Sequence, residues 1–287
     1  MIKPEVRSFF HEQSNTICHV VEAPGSGRCA IIDAALDYDQ AAGRTGTTFA
    51  DSIVAEVEAR GLAVDWILET HAHADHLSAA PYLKQRLGGQ IGIGRHITDV
   101  QALFKDLFHV EKTFNTDGSQ FDRLFEDGAR FAIGNVEARV LHTPGHTPAC
   151  VTYVIGDAAF VGDTLFMPDG GTARADFPGG DAATLYRSIE KILALPPETR
   201  LFICHDYGPG GRAIAWQTTV AEQRTRNIHV HEGIGEAEFV ELRTARDKTL
   251  AVPQLLIPSI QVNMRAGELP PPEDNGVSYI KIPLNRI

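Results

Sequence analysis

The sequence predicts an α/β protein, and two patterns support this prediction. Short apolar runs rich in β-branched residues alternate with amphipathic helical runs over most of the chain. Four of the apolar runs end in side chains that metal ions commonly bind, namely the cluster at 71–76, His146, Asp163 and His205. Because sites in layered α/β proteins form on loops at strand ends, we expect these four endings to meet.

The individual elements follow from the spacing of apolar residues. Runs of β-forming residues bounded by Gly, Pro or Asn predict strands, and apolar residues at helical spacing predict helices. The strands expected are 6–10, 16–22, 29–32, 64–69, 90–94, 131–133, 136–141, 150–155, 158–161 and 201–204. The helices expected are 47–60, 78–87, 97–108, 184–195 and a helical region after 212.

A Gly-rich loop at 208–211 follows the last strand and marks a boundary. We therefore expect a catalytic domain over residues 1–206 and a C-terminal extension over 207–287 that packs on it. The amphipathic segment 96–127 shows no recognisable chemistry, and its apolar face is typical of core or of a dimer surface. We expect a homodimer.

Composition limits the class of protein. Of the 287 residues, 43% are hydrophobic and 22% are charged, which is typical of soluble globular proteins. The formal net charge of −11 disfavours nucleic acid as a partner, because phosphate backbones are bound by basic surfaces. The sequence contains no apolar run of about 18 residues, so we expect no membrane span.

The cysteines indicate a reducing compartment. Cys18, Cys29, Cys150 and Cys204 show neither a CxxC pair nor the density of a disulfide framework, so we expect buried thiols. The N-terminal stretch has no apolar core of the kind found in secretory signals. We therefore expect a cytoplasmic protein.

The stretch Thr70-His71-Ala72-His73-Ala74-Asp75-His76 places three imidazoles and a carboxylate close together. Borderline divalent metals prefer these ligands. In an extended segment, side chains two apart share a face, so His71 and His73 would face one ion. Asp75 and His76 would serve a second ion or orient the ligands of the first. The alternative is a polar loop that caps the next helix, but this density of histidine favours metal binding.

Three later residues, His146, Asp163 and His205, complete a set of five His and two Asp. His146 stands in a loop with two prolines and a glycine, which fixes its backbone. Taken singly, each of the three is typical of an ordinary loop or turn. Their order after the cluster favours a metal site with either two adjacent ions or one ion and polar surroundings.

These motifs resemble those of a known family. His71-x-His73-x-Asp75-His76, then Thr143-Pro144-Gly145-His146-Thr147, Gly162-Asp163 and His205, are similar to the metal motifs of the metallo-β-lactamase superfamily. The resemblance implies an αββα sandwich with the metals at one edge of two packed sheets, here with a C-terminal extension. It leaves the reaction open, since the superfamily includes hydrolases, glyoxalase II thioesterases, nucleases and persulfide dioxygenases.

Finer matches resemble the persulfide dioxygenase branch. Ala173-Arg174-Ala175-Asp176-Phe177 is similar to that family's Gly-Arg-Thr-Asp-Phe signature, with alanine in place of the Gly and the Thr. His205-Asp206-Tyr207 is similar to its last motif, whereas glyoxalase II enzymes usually carry Glu after that histidine. The segment 219–227 resembles the family's downstream helix.

The resemblance implies a mononuclear centre. One Fe(II) per chain would be held by His71, His146 and Asp163, an arrangement that leaves three coordination positions open. The remaining residues of the set would orient ligands and water, and these are His73, Asp75, His76 and His205. The reaction implied is the oxidation of glutathione persulfide by O2 and water to glutathione and sulfite.

Glutathione is anionic, so its carboxylates need cations. We expect Arg174 and Arg212 to bind substrate, because one follows the Asp163 loop and the other lies in the Gly-rich loop after His205. Tyr207, in the last motif, is a third candidate. The main alternative is a dinuclear zinc hydrolase of the glyoxalase II type, with two Zn(II) per chain, acting on a glutathione thioester. A metal-stabilised binding protein without activity is a further alternative.

Overall fold

The computed structural model describes residues 2–286. The strands are β1 (Glu5–His11), β2 (Thr16–Ala23), β3 (Arg28–Ile32), β4 (Ala35–Asp39), β5 (Arg44–Gly46), β6 (Ala63–Leu68), β7 (Leu77–Ser78), β8 (Gln90–Gly94), β9 (Arg123–Phe125), β10 (Arg130–Ile133), β11 (Val136–His142), β12 (Val151–Ile155), β13 (Ala158–Phe160), β14 (Arg200–Phe202) and β15 (Gln217–Thr219). The α-helices are α1 (Thr48–Ala59), α2 (Ala80–Leu87), α3 (Ile97–Leu107), α4 (Ala182–Leu193), α5 (Val220–Arg226), α6 (Glu236–Asp247) and α7 (Leu256–Asn263). Within residues 2–286, none of these helices has the length and apolarity needed to cross a bilayer.

Two six-stranded sheets form the centre of the molecule, in the orders β1-β2-β3-β6-β8-β9 and β10-β11-β12-β13-β14-β15. The strands β3, β6, β8 and β9 run parallel, with α1, α2 and α3 in the connections between them. A small third sheet contains β5, β4 and β7. The layered α/β sandwich predicted from the sequence is confirmed.

Alternation along the strands explains why both faces of each sheet are buried. On β3, Cys29 and Ile31 belong to the core beneath α1, α2, α3 and α7, while Ala30 and Ile32 face the second sheet. On β14, Phe202 faces the first sheet, and Leu201 packs with the apolar faces of α4, α5 and α6. Apolar layers therefore run from helices through two sheets to helices.

The observed helices differ from the predicted ones mainly at their ends. The helix expected from residue 78 begins at Ala80, because Leu77 and Ser78 pair with β4 as the strand β7. The helix expected from residue 184 begins at Ala182, because the side chain of Asp181 caps it. The short strands β4, β5, β7, β9 and β15 were not predicted, since alternation cannot be recognised over so few residues.

The apolar face of segment 96–127 packs inside its own chain. Ile97, Val100 and Phe104 of α3 are buried in the core beneath the first sheet. Of the two alternatives for this apolar face, core and dimer surface, the structure therefore shows core for these residues. The homodimer stays a prediction.

The C-terminal part is joined to both sheets. The strand β15 pairs with β14, so the second sheet continues past the predicted boundary at residue 206. In α7, the side-chain amide of Asn263 donates to the backbone oxygens of His73 and His76, at 2.9 and 2.8 Å. The division into two domains stays a prediction, but the last helix directly supports the His-rich loop.

Candidate metal centre

Four chain segments meet at one edge of the sandwich. The loop after β6 brings His71, His73 and His76, and the loop after β11 brings His146. A single 3-10 turn after β13 carries Asp163, and His205 follows β14. All of these side chains are buried. The expected convergence of strand ends is present in the structure.

His71, His146 and Asp163 form one compact group, whose ligand atoms lie within 4.8 Å of one another. Oδ2 of Asp163 is 3.8 Å from Nε2 of His71 and 3.6 Å from Nε2 of His146. Ligand atoms that share one ion with bonds near 2.1 Å lie about 3 to 4 Å apart. The three side chains are therefore spaced to hold a single ion.

Hydrogen bonds at the far side of each ring orient the two imidazoles. Nδ1 of His146 donates to the backbone oxygen of Arg174 at 2.8 Å. Nδ1 of His71 donates to the hydroxyl of Thr70 at 3.0 Å, and that hydroxyl donates to Asp33 at 2.9 Å. Each Nε2 is thus left as a lone pair that faces Asp163.

His73 is held differently. Its Nε2 lies 3.0 Å from Oδ1 of Asp33 and 3.3 Å from Oε2 of Glu69, and both carboxylates are buried. Burial alone would lower the pKa of His73, but the charge of Asp33 and the bonds to both carboxylates raise it well above its ordinary value. His73 can combine as a ligand with Asp75 and His76, with Cys204 and His205, or with Asp33 and Glu69.

The expectation that His71 and His73 share the face of an extended strand is wrong. The strand β6 ends at Leu68, and residues 69–76 form bends without strand pairing. The turn is stabilised by Asp33, which accepts the backbone N–H of Thr70 at 2.7 Å. The two rings lie close, with centroids 4.0 Å apart, but belong to different groups of ligand atoms.

Asp75, His76 and His205 lie beside the compact group. Oδ2 of Asp75 is 3.1 Å from Nδ1 of His76 and 3.4 Å from Nε2 of His205. Nε2 of His205 is also 3.4 Å from Oδ1 of Asp163. Burial would lower the pKa of His205, but Asp163 and Asp75 together raise it to about 9.

The donor set fits a metal ion. Five buried side-chain atoms of this centre lack a hydrogen-bond partner within the described chain: Nε2 of His71, Nδ1 of His73, Nε2 of His76, Oδ1 of Asp163 and Nε2 of His205. Unpaired buried polar atoms are costly and rare, so five together indicate a binding site for a cation. Imidazole nitrogen and carboxylate oxygen suit iron, zinc and related ions alike.

A cavity of about 380 Å³ opens onto the centre. Ligand-type residues form its floor, including His146, Asp163 and His205, and the aromatic rings of Phe166 and Phe177 form part of its walls. The predicted substrate-binding residues Arg174 and Tyr207 also line it. The cavity is large enough for a small organic substrate.

Arg174 and Arg212 are placed differently from each other. The guanidinium of Arg174 pairs with Asp176 at 2.6 and 2.8 Å and lies over the ring of Phe177. Arg212 pairs with Asp169 and Asp206 and does not line the cavity within the described chain. Its expected role in binding substrate is therefore not supported by its position.

The cavity contains basic residues that the sequence reasoning missed. Arg243 and Arg246 lie one helical turn apart in α6, and both line the cavity with His229. Arg243 is buried and pairs with Asp247 at 2.7 Å, whereas Arg246 is exposed and has no carboxylate partner within residues 2–286. The spacing of two arginines on one helix face was the signal that could have revealed them.

Comparison with known proteins identifies the family. Residues 13–205 match the family model described as the metallo-beta-lactamase superfamily. The chain belongs to the metallo-β-lactamase superfamily. The His and Asp cluster at the edge of its sandwich is accordingly a metal-binding site of that superfamily.

Full-length relatives within the superfamily carry different names. A probable metallo-hydrolase of Burkholderia pseudomallei is 59% identical over 98% of this chain and 99% of its own length. Glyoxylase B2 of Dictyostelium discoideum is 53% identical over 99% of this chain and 98% of its own. The mitochondrial persulfide dioxygenase of Bos taurus is 31% identical over 93% of this chain and 90% of its own.

One further relative is longer than this chain, and one solved structure has a similar fold. A beta-lactamase hydrolase-like protein of Xylella fastidiosa is 54% identical to 99% of this chain, which spans only 65% of that longer protein. The crystal structure of ETHE1 from Myxococcus xanthus superposes with a TM-score of 0.73 at 24% identity, covering 92% of this chain and 100% of that one. The latter likeness supports the metallo-β-lactamase fold.

Proposed function

We propose that the chain is a persulfide dioxygenase, which uses one Fe(II) to convert glutathione persulfide, O2 and water into glutathione and sulfite. The observation that carries the proposal is the separate grouping of His71, His146 and Asp163. Two histidines and one carboxylate on one side of an ion are typical of non-haem iron oxygenases. When bound, the Fe(II) supplies the redox chemistry that O2 requires.

The contacts of His73 bear on the number of ions. In a dinuclear arrangement, the first ion would take His73 together with His71 and His146. Nε2 of His73 lies between two buried carboxylates, and no group of ligand atoms in the described chain combines His73 with His71 and His146, which favours a single ion. Nδ1 of His73 has no hydrogen-bond partner within residues 2–286, so it is the donor that the dinuclear arrangement would use.

The walls of the cavity suit a glutathione derivative. Such a substrate has two carboxylates, and the cavity presents the guanidinium groups of Arg174, Arg243 and Arg246. Only Arg246 lacks an internal carboxylate partner within residues 2–286, so it is the cation best able to bind a substrate carboxylate. The apolar rings of Phe166 and Phe177 can pack against the rest of the substrate.

In this proposal, His205 holds the water that takes part in the reaction. Its Nδ1 donates to the backbone oxygen of Asn15 at 3.2 Å, so its Nε2 faces Asp75 and Asp163 across the cavity floor. A polar group fixed in this way can hold the water that the overall reaction consumes.

A dinuclear zinc hydrolase of the glyoxalase II type, acting on a glutathione thioester, is the second candidate. The names of the more similar relatives, a metallo-hydrolase and a glyoxylase, favour it over the dioxygenase. The unpaired atoms of His76, His205 and Asp163 also provide donors for a second ion. The more distant persulfide dioxygenase relative favours the first candidate.

Two assays on the protein purified without oxygen separate the candidates. An oxygen electrode and a sulfite assay follow the reaction with glutathione persulfide, and release of glutathione follows the reaction with S-lactoylglutathione. The proposal predicts one O2 consumed per sulfite formed and no thioester turnover. Thioester hydrolysis without O2 uptake would establish the hydrolase instead.

The cellular location is also proposed. Cys18, Cys29, Cys150 and Cys204 are all free and buried, as predicted. Buried free thiols in this number support a reducing compartment such as the cytoplasm.

A further inference from the structure

We infer that His229 and Arg246 form a subsite of the cavity that binds the glycine carboxylate of a glutathione substrate through hydrogen-bond donors alone. The inference rests on the proposed function for the identity of the substrate, and both candidate reactions use a glutathione derivative. His229 follows α5 and Arg246 lies in the last turn of α6, so the C-terminal part of the chain builds this subsite.

The protonated nitrogen of His229 follows from its contacts. The backbone N–H of Thr172 donates to Nδ1 of His229 at 3.1 Å. The hydroxyl of Thr172 lies 3.2 Å from the same nitrogen, and it accepts from the guanidinium of Arg243 at 3.5 Å, so it gives its own proton to Nδ1. Because Nδ1 accepts these bonds, the neutral ring carries its proton on Nε2.

The Nε2–H of His229 is the donor that the cavity can use. A methyl group on Gly171, whose φ is +77°, would lie 2.2 Å from Nδ1, so the Nδ1 side of the ring rests directly on residues 171 and 172. The other side, with Nε2, is left to face the cavity that His229 lines, and Nε2 has no hydrogen-bond partner within residues 2–286. His229 is only 8% exposed, and an unpaired donor buried to this degree indicates a ligand.

A buried polar network holds the ring in this position. Oδ1 of Asn227 accepts the backbone N–H of His229 at 2.8 Å, and its Nδ2 donates to the backbone oxygen of Gly171 at 3.1 Å. The same Nδ2 donates to Oε1 of Gln223, whose Nε2 donates to the backbone oxygen of Phe166, both at 2.7 Å. A ring that only filled space would need none of these bonds. They fix the donor before substrate binds, which lowers the entropy cost of binding.

The subsite offers donors and no acceptor. Burial, together with the charges of Arg243 and Arg246, lowers the pKa of His229 from 6.5 to about 4, so the ring is neutral at pH 7 and donates only through Nε2. Both oxygens of Asp247 are already engaged, by Arg243 and by the backbone N–H of Ala175, at 2.7 and 2.9 Å. The group that satisfies an imidazole N–H beside an unpaired guanidinium is one that only accepts, and in glutathione that group is a carboxylate.

Of the two carboxylates of glutathione, the glycine carboxylate fits this subsite. The carboxylate of the γ-glutamyl group shares its carbon with an ammonium, which Arg246 would repel and which the Nε2–H of His229 cannot accept. The glycine carboxylate has no neighbouring charge. The subsite therefore selects for the glycine end of the substrate.

Two substitutions of His229 separate the roles of its two nitrogens. His229→Asn keeps a polar atom near the position of Nδ1, where it can accept from Thr172, but it removes the donor that faces the cavity. His229→Gln reaches the position of Nε2 and restores a donor there. The matched control is His231→Asn, at an exposed histidine of the same loop that does not line this cavity.

Calorimetry on the metal-loaded protein gives the affinity for glutathione and for glutathione whose glycine carboxylate is an ethyl ester. The wild-type protein should bind the ester about tenfold more weakly, because a hydrogen bond to a charged group is lost. His229→Asn should bind glutathione about tenfold more weakly than the wild-type protein, but the ester with the wild-type affinity for the ester. His229→Gln should recover most of the affinity for glutathione, and His231→Asn should match the wild-type protein.

A purely structural role for His229 predicts a different order. A loss of affinity in His229→Gln as large as that in His229→Asn would show that only the bond from Thr172 matters, and it would overturn the subsite. Equal losses for glutathione and the ester in His229→Asn would do the same. If His229→Asn does not fold, as judged by circular dichroism, the two ligands are compared on His229→Gln, and equal affinity for both would contradict the inference.

The proposed function is tested separately, by O2 uptake. S-lactoylglutathione carries the same glycine carboxylate as glutathione persulfide. A wild-type protein that consumes no O2 but still discriminates against the ester would end the proposed function and leave the subsite standing. A wild-type protein that binds glutathione and the ester equally would refute the subsite, whichever reaction it catalyses.

Discussion

Nε2 of His73 lies 3.0 Å from Oδ1 of Asp33, and both side chains are buried at the base of the metal centre. The same Asp33 accepts the backbone N–H and the hydroxyl of Thr70, at 2.7 and 2.9 Å. Because Thr70 in turn accepts the Nδ1–H of His71, one carboxylate positions two histidines of the centre. Groups that orient metal ligands in this way commonly affect metal affinity.

Replacing Asp33 with Asn should weaken metal binding. Asn keeps the size of the side chain and tolerates the φ of +54° at this position, but it removes the charge that holds His73 and Thr70. We expect metal affinity to fall about 10-fold to 100-fold, the usual range for such partners. Competition with a chelator of known affinity measures the change.

The control for this prediction is Asp65→Asn. Asp65 is a partly buried carboxylate whose partners, Arg28 and the backbone N–H of Gly134, lie away from the centre. Equal metal affinity in the Asp33 variant and the wild-type protein would refute the role given to Asp33.

Arg246→Ala should raise KM for the glutathione substrate. Arg246 lines the cavity without a carboxylate partner in the described chain, so its loss removes a charge-assisted contact and leaves the centre intact. We expect KM to rise about tenfold, with kcat little changed, because a hydrogen bond to a charged group contributes about 1.5 kcal/mol or more. Steady-state kinetics measures both constants.

Arg130→Ala serves as the control, since Arg130 pairs with Glu137 at the exposed start of β10. Its KM should match that of the wild-type protein. If Arg246→Ala keeps the wild-type KM, another cation of the cavity binds the substrate.

Replacing His19 with Gln should reduce the decrease in the free energy of unfolding that occurs as the pH is lowered. Burial in the core lowers the pKa of His19 from its ordinary 6.5 to about 4, although the hydrogen bond to the backbone oxygen of Ile203 acts in the opposite direction. Between pH 6.5 and 4, His19 therefore binds a proton in the unfolded chain but not in the folded chain. The free energy of unfolding consequently decreases as the pH falls from 6.5 to 4. At about 1.4 kcal/mol per pKa unit, the loss is about 3 kcal/mol.

Denaturant unfolding followed by circular dichroism from pH 7 to pH 4 measures this slope. His231→Gln, at an exposed histidine, is the control and should keep the wild-type slope. An unchanged slope in His19→Gln would mean that other groups cause the acid loss of stability.

The sequence predicted those parts of the molecule that depend on local spacing. Strand endings pointed to His146, Asp163 and His205, because a ligand-type residue after an apolar run is visible in the chain itself. The apolar periodicity also placed α1 and α4 to within a few residues.

The support of the centre could not be predicted, because it comes from distant residues. Asp33 stands 40 residues before His73, and Asn263 stands 190 residues after it, yet both bond to it. The sequence around Asp33 and Asn263 contains no pattern that predicts these contacts. The cavity arginines of α6 were missed for the same reason, since only the fold brings that helix to the cavity.

Two variants test the ligand assignment. Asp163→Ala should lose iron, because Oδ2 of Asp163 completes the group with His71 and His146. His76→Ala should keep one iron per chain, because His76 lies outside that group. Loss of an ion from His76→Ala would indicate a second metal position.

The number of ions bound by the wild-type protein tests the central claim most directly. Elemental analysis by mass spectrometry, on protein purified without oxygen, gives metal per chain. A centre formed by His71, His146 and Asp163 predicts one iron per chain and no second metal. Two ions per chain, whether zinc or iron, would contradict it.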